Sequence, residues 1–121
     1  MVVYIAFQLM VKTKKNLHAG FVITCVGDNG KFTYKKSRRG DTVPDRAVVN
    51  ILSQTEKDYN LVDFSPSGSD ERQFCSPGFN LPVGSLMRTM YGKYPDYHTS
   101  ADNKEFTSFD AMEEAVVKYL Y

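Results

Sequence analysis

Two short runs of the chain, Ala19 to Val26 (AGFVITCV) and Leu81 to Met87, are apolar on both faces of an extended backbone. Successive side chains of a strand point to opposite sides, so such a run must be covered above and below. Both runs therefore predict central strands of a sheet with helices on its two faces. Helical stripes of the right kind accompany them. Val2, Ile5, Ala6 and Leu9, widened by Val3 and Met10, predict a buried first helix, although the β-branched residues keep a strand reading open. Ala47, Val48, Ile51 and Leu52 form the buried stripe of a second helix, with Thr42 or Val43 ahead of Pro44 in its first turn. Phe109, Met112, Val116 and Tyr119, with Leu120 beside them, predict the inner face of a last helix opened by a Thr107-x-x-Asp110 capping box. Gly27-Asp28-Asn29-Gly30 is a turn signal. The Lys31 to Lys36 stretch after it alternates, with Phe32 and Tyr34 on one face. It reads as a more exposed strand and a candidate hairpin partner of the first. Leu61 to Phe64 predicts one more short strand. Strands alternating with helices give an α/β class with a mixed sheet.

A chain of 121 residues fits one domain, on a prior of about 100–200 residues each. Hydrophobic residues at 42% and charged residues at 24% give the balance of a globular chain with a real core. Fifteen basic against fourteen acidic residues leave a net charge of +1. No field follows that would draw nucleic acid or an anionic membrane. Lys12, Lys14 and Lys15 form one basic cluster, and Lys31, Lys35, Lys36, Arg38 and Arg39 another; both read as a solvated strand end and turn. Cys25 and Cys75 lie in no C-x-x-C pair and read as two buried free thiols in a reducing compartment. The apolar stretch Met1 to Val11 lacks a basic leader and a cleavage site. It is also shorter than the ~20 residues that span a bilayer. It reads as core, and the protein as cytoplasmic.

Chemistry concentrates between Gly68 and Asp102. Polar reactive residues sit at both ends of this segment, with the Leu81 to Met87 strand between them. Loops at strand ends are where α/β proteins place their sites. His98 stands in a loop with Asp96 and Asp102 close by in sequence, and an imidazole held by a carboxylate is a common metal ligand. Glu71 could ligate a metal, act as a general base or bind a cationic group, and Asp70 could cap the turn that follows. Both could equally be solvated acids partnered by Arg72. Arg88, directly after the strand, could clamp a carboxylate or phosphate, or pair with Glu71. Tyr91, Tyr94 and Tyr97 could line a sugar or peptide pocket, or pack their loop down. The chain has no G-x-G-x-x-G, P-loop or G-x-S-x-G motif. Cys75 has no neighbour in sequence except Arg72 to activate a nucleophile.

Ser69-Asp70, Phe74, Pro77-Gly78-Phe79 with Leu81-Pro82, and Tyr97-His98-Thr99-x-x-Asp102 follow one another in the order of a known pattern. The segment resembles the C-terminal half of zinc-dependent aminopeptidases, with their Ser-Asp-His segment and closing His-Thr-x-x-Asp. AGFVITCVGD and GSDERQFCSPG resemble a bacterial branch of aminopeptidase-like proteins linked to polysaccharide biosynthesis. The resemblance covers nearly the whole chain. It implies a partial three-layer, mixed-sheet zinc-exopeptidase-like fold, with the site at the carboxyl ends of strands. It implies two zinc ions sharing a water that attacks a peptide carbonyl, with a Glu as base. His98 falls on the zinc-binding His of the closing motif, Asp102 on the supporting Asp, and Asp70 on the Asp of Ser-Asp-His.

The departures bear on function. Glu71 replaces the His of Ser-Asp-His. Thr24 or Cys25, with Asp28 nearby, stand where the family has a zinc-binding Asp. The family's upstream His-x-Asp and catalytic Glu pair have no counterpart here; the one Glu-Glu, Glu113-Glu114, falls on the outer face of the last helix. The expectation is one aminopeptidase-like domain over residues 1–121, its C-terminal portion alone, beginning after those elements. A zinc site needs about three or four protein ligands, so zinc should bind weakly or not at all to this chain alone, and no catalytic residue can be assigned. The expected partner is a second copy, or a missing N-terminal polypeptide, burying an exposed strand or the first helix. The rival expectation is a non-enzymatic module binding a sugar or small acid through Arg88, Tyr91, Tyr94, Tyr97 and Glu71.

Overall fold

A computed structural model describes residues 14–121. The helix expected over Val2 to Leu9 lies outside the described residues. Four strands form one mixed sheet: β1 (Gly20–Ile23), β2 (Thr33–Lys35), β3 (Asn60–Val62) and β4 (Val83–Met87), in the order β1-β4-β2-β3. β1 runs parallel to β4, with Gly20 opposite Val83 and Ile23 opposite Leu86. β4 is antiparallel to β2, and β2 is parallel to β3. Three helices complete the fold: α1 (Val43–Thr55), the short α2 (Glu71–Phe74) and α3 (Phe109–Leu120).

The alternation of side chains along β2 and β4 sorts the core into two layers. On one face Phe32, Tyr34 and Leu86 meet Val48 and Leu52 of α1 and Ala115 of α3. On the other, Val83 packs with Cys75 and Leu81, joined by Val22, Phe64, Phe74 and Phe79. Two helices thus cover one face, and α2 with its flanking loop covers the other. This is the mixed α/β architecture expected from the apolar runs.

Several local expectations are corrected. β2 is no hairpin partner of β1, because β4 lies between them. Nor is it exposed. All of Thr33–Lys35 is buried, and the basic cluster loses Lys35 to the interior. β4 is buried throughout, as its sequence predicts. β1 stands instead at one end of the described sheet, with Ile23 64% exposed. α3 starts one residue later than expected, capped by Ser108, whose hydroxyl accepts the Ala111 N–H. Its inner face is also rotated. Ala111 and Ala115 are buried, while Phe109, Val116 and Leu120 face outward. The small Ala115 lets the helix approach the cluster of Tyr34 and Leu86 closely, and a larger side chain there would hold it off the sheet.

Asp45 ties α1 to β2. Its carboxylate accepts from Tyr34 Oη (2.9 Å), Ser37 N (2.8 Å), Ser37 Oγ (2.6 Å), Thr42 N (2.8 Å) and Thr42 Oγ1 (2.5 Å). The Tyr34 ring is thereby fixed against Gly84, where an added Cβ would lie 2.2 Å from the phenolic oxygen. Gly84→Ala is expected to destabilise the fold by about 2 kcal/mol or more, because neither a pinned ring nor a central strand can yield cheaply. Urea unfolding reads this directly, and an unchanged midpoint would show that Tyr34 is free to move.

Candidate functional site

A cleft of about 500 Å³ opens at the carboxyl ends of the parallel strands β1 and β4. Such ends are where open α/β sheets bind ligands. Its walls come from four segments: Thr24, Cys25 and Asp28 after β1; Gly68 and Ser69 before α2; Tyr94, Tyr97, His98 and Asp102 in the loop after β4; and Met112 of α3. The fold therefore gathers the two ends of the Gly68–Asp102 segment around one space. His98 is exposed in this loop and stacks on Tyr97, ring centroids 4.0 Å apart. Tyr97 meets Tyr94 edge-on at 5.6 Å, and Tyr94 stacks on Phe106 at 5.2 Å. The tyrosines pack the loop down and form the cleft wall together.

Two non-glycine residues in the left-handed region border the cleft, Cys25 at φ +50° and His98 at φ +57°. Such backbone costs roughly 1–3 kcal/mol per residue and tends to cluster at functional sites. The Cys25 carbonyl accepts Arg88 N–H at 2.8 Å, which fixes this corner of the chain. Its thiol lies 3.6 Å from both Thr24 Oγ1 and Tyr94 Oη. Burial, and next the bond to Cys25, push the Tyr94 phenol well above its ordinary range.

Other residues singled out from the sequence hold the cleft up rather than line it. Glu71 is fully buried and pairs with Lys35 at 3.0 Å. Lys35 Nζ also donates to Ser67 O (2.6 Å) and Tyr91 Oη (2.9 Å), while Tyr91 Oη donates to Glu71 Oε1 (2.8 Å). The second Glu71 oxygen is buried without a hydrogen-bond partner among the described residues. Burial, then the Glu71 carboxylate, keep the Tyr91 phenol protonated far above its usual range. Gly68, at φ +105°, lies so close that a Cβ would fall 2.0 Å from Tyr91 Oη. This buried cluster anchors the Ser67–Ser69 rim of the cleft. The arrangement was hidden from the sequence because Lys35 and Glu71 are 36 residues apart. Asp70 occupies the N-cap position of α2 but makes no side-chain capping bond, and Arg72 is exposed in its last turn.

Arg88 does not reach Glu71. Its guanidinium donates to Gly30 O (2.9 Å) and Ala111 O (3.2 Å) and pairs with Glu114. It also stacks over Phe32 at 4.4 Å. A side chain so engaged joins β4, α3 and the turn after β1; it has no fork left for a substrate carboxylate. Of the residues expected to bind a sugar or small acid, Tyr94 and Tyr97 remain at the cleft. Cys75 is buried and free, its thiol donating to Val83 O at 3.2 Å, and burial pushes its pKa up.

A zinc site can be tested against these donors. His98 faces the cleft with its ring exposed. The Asp28 carboxylate is buried and accepts from Gly30 N (2.7 Å), Thr89 Oγ1 (2.6 Å) and Thr89 N (3.2 Å), so it is committed to tying its turn to the chain after β4. Glu71 is committed to Lys35. Among the described residues no three His, Cys, Asp or Glu side chains converge as a metal-binding group. The described residues therefore do not by themselves fit a zinc ion.

The mixed sheet with its flanking helices matches part of the folds of solved peptidase and aminopeptidase structures. The chain belongs to the family described as "Domain of unknown function (DUF4910)", whose model matches residues 2–121. It is 49% identical over 106 residues to a Clostridium acetobutylicum protein named "Putative polysaccharide biosynthesis protein with aminopeptidase-like domain", covering 88% of this chain and 24% of that one. A crystal structure described as a "putative peptidase" from the same organism superposes with a TM-score of 0.86 at 47% identity, over 90% of this chain and 26% of that one. An aminopeptidase from Aneurinibacillus sp. strain AM-1 shares the fold at a TM-score of 0.63 and 14% identity, over 91% of this chain and 26% of its own. The chain thus spans about a quarter of the relatives it matches. No helix among the described residues is long and apolar enough to cross a membrane.

Proposed function

We propose that this chain supplies one wall of an aminopeptidase-like zinc-hydrolase site, and that the wall is inactive until another polypeptide region completes it. The observation that carries the reading is the cleft itself. It brings His98, Asp102 and Ser69 together at the ends of β1 and β4, yet no ligand group of three forms there among the described residues. Were zinc held there with further ligands, it would supply a water of lowered pKa and polarise a carbonyl. This chain's contribution is positional. His98 offers an imidazole, with Asp102 in the same loop as a supporting carboxylate, and the tyrosine stack holds that loop in place. The Lys35–Glu71–Tyr91 cluster sets the opposite rim. The remaining ligands and the general base would then come from polypeptide outside this chain; the relatives extend well beyond the matched quarter. By analogy with the polysaccharide-biosynthesis name of the C. acetobutylicum protein, the substrate would be a peptide-like or sugar-derived small molecule.

The expected behaviour of the purified chain is zinc far below one equivalent, unchanged by His98→Ala, with no hydrolysis of amino-acid amides. Elemental analysis and an amidase assay measure both. Stoichiometric zinc with amide cleavage by the chain alone would overturn the inactivity.

A further inference from the structure

We propose that a pocket at the end of the sheet opposite the cleft binds a phosphorylated sugar, its phosphoryl group held by Arg39 and Arg46 and its hydroxyls by Asp41. The pocket holds about 430 Å³, and His18, Arg39, Asp41, Arg46 and Pro82 are among its lining residues. Its place follows from the topology. His18 leads into β1 and Pro82 into the parallel β4, while Arg39 and Asp41 follow β2, which runs antiparallel to β4. They therefore meet at one end of the sheet, and the cleft lies at the other. The basic cluster seen in the sequence is sorted by the fold. Lys31 pairs with Asp58, Lys36 with Asp63 and Lys35 with Glu71. Neither Arg39 nor Arg46 pairs with a carboxylate among the described residues. Residues 1–13, upstream of His18, contain no Asp or Glu that could neutralise them.

The arginines are held by a rigid loop. Gly40, at φ +75°, donates its N–H to Ser37 O at 3.0 Å and closes a tight turn around Arg39. Ser37 and Thr42, on either side of that turn, are both bound to the buried Asp45 carboxylate. Arg46 donates through Nη1 to Asp41 O, which leaves its other N–H groups for a ligand. Donors fixed in this way have little freedom left to lose on binding. Two guanidinium forks match the several oxygens of a phosphoryl group and give charge-assisted bonds. The exposed Asp41 carboxylate accepts hydrogen bonds only, so it suits hydroxyls beside that group and not the group itself. The volume also falls in the range of about 300–1,000 Å³ that organic ligands occupy, and a bare phosphate ion would leave most of it and the carboxylate unused. A phosphate ester of a polyol engages all three side chains. The cleft has no Lys or Arg among its lining residues, so an anion should choose this pocket over the cleft.

Backbone amide chemical shifts of the purified chain, titrated separately with glucose 1-phosphate, inorganic phosphate and glucose, test the pocket. Millimolar glucose 1-phosphate should move the amides of Arg39, Gly40 and Arg46, with phosphate binding more weakly and glucose not at all. Arg39→Gln and Arg46→Gln should each weaken the ester at least about tenfold. Asp41→Ala should move the preference from the ester toward phosphate. Arg46→Gln also gives up the bond to Asp41 O, whereas the Arg39 side chain makes no hydrogen bond or ion pair among the described residues, so Arg39→Gln reads the lost charge alone. Lys57→Gln, a cation just past the other end of α1, should change nothing. Absent shifts, shifts centred on the cleft, or binding that persists undiminished in both arginine variants would overturn the pocket. Glucose bound as tightly as its phosphate would overturn the role of the arginines, and phosphate bound as tightly as the ester would overturn the sugar.

Discussion

Glu71→Leu will destabilise the fold by about 3–5 kcal/mol, the cost of leaving one partner of a buried ion pair uncompensated. Lys35 and Glu71 both have side chains at 0% exposure, and their 3.0 Å contact is supported by Ser67 O and Tyr91 Oη. With Glu71 gone, the ammonium keeps a carbonyl and a phenol but no counter-charge. Lys35→Met should cost a similar amount, since it strands a carboxylate that already has one oxygen without a partner among the described residues. The double replacement, Lys35→Met with Glu71→Leu, should recover most of the loss, because an apolar pair of similar volume avoids the desolvation of both charges. Urea unfolding of the two single variants and the double closes the cycle. Additive losses would mean that the two groups act independently. The rim of the cleft gives a second readout. Ser67–Ser69 should gain proteolytic sensitivity in the single variants, because Lys35 and Tyr91 hold that turn in place.

Asp45→Ala will cost about 3 kcal/mol, from unpaired buried donors and a lost tie at the helix start. Five donor atoms converge on this carboxylate, and Tyr34 Oη and Ser37 N are buried with it. The pH dependence has a definite sign. Burial works to raise the Asp45 pKa, but bonds from Ser37 and Thr42 outweigh it, and the net shift is below the ordinary 3.8. A depressed folded-state pKa contributes stability that is present above the unfolded value and lost as pH falls through the folded one. Wild type should therefore lose stability to acid below about pH 3.8 in a way that Asp45→Asn does not. Matching acid profiles for the two proteins would show that Asp45 is not held ionised by its neighbours.

What could be read from the sequence depended on the range of the interaction. β4 was legible because residues apolar on both faces admit one environment. The same reasoning placed β1 among flanking strands, whereas among the described residues it stands at one end of the sheet. β2 was misjudged because a lysine in an alternating run reads as solvent-facing, and its counter-charge comes from Glu71 of α2, far along the chain. The inner face of α3 differs because large apolar side chains read as core, whereas close approach to Tyr34 and Leu86 selects Ala115. The His98 loop and the Ser69 turn were legible as reactive segments, and the fold brings them to one cleft. Arg88 looked like a ligand clamp because a cation at a strand end often is one; its carbonyl and Glu114 partners become visible only when α3 packs back on the sheet.

The central claim is that His98 is one ligand of a metal site that other polypeptide completes. Zinc content of a hybrid in which this chain replaces the matching quarter of the C. acetobutylicum protein, measured by elemental analysis with and without His98→Ala, tests it most directly. The account predicts bound zinc in the hybrid that is lost or reduced at least about tenfold in affinity by the substitution. Undiminished zinc in the His98→Ala hybrid, or a full equivalent in the isolated chain, would contradict it.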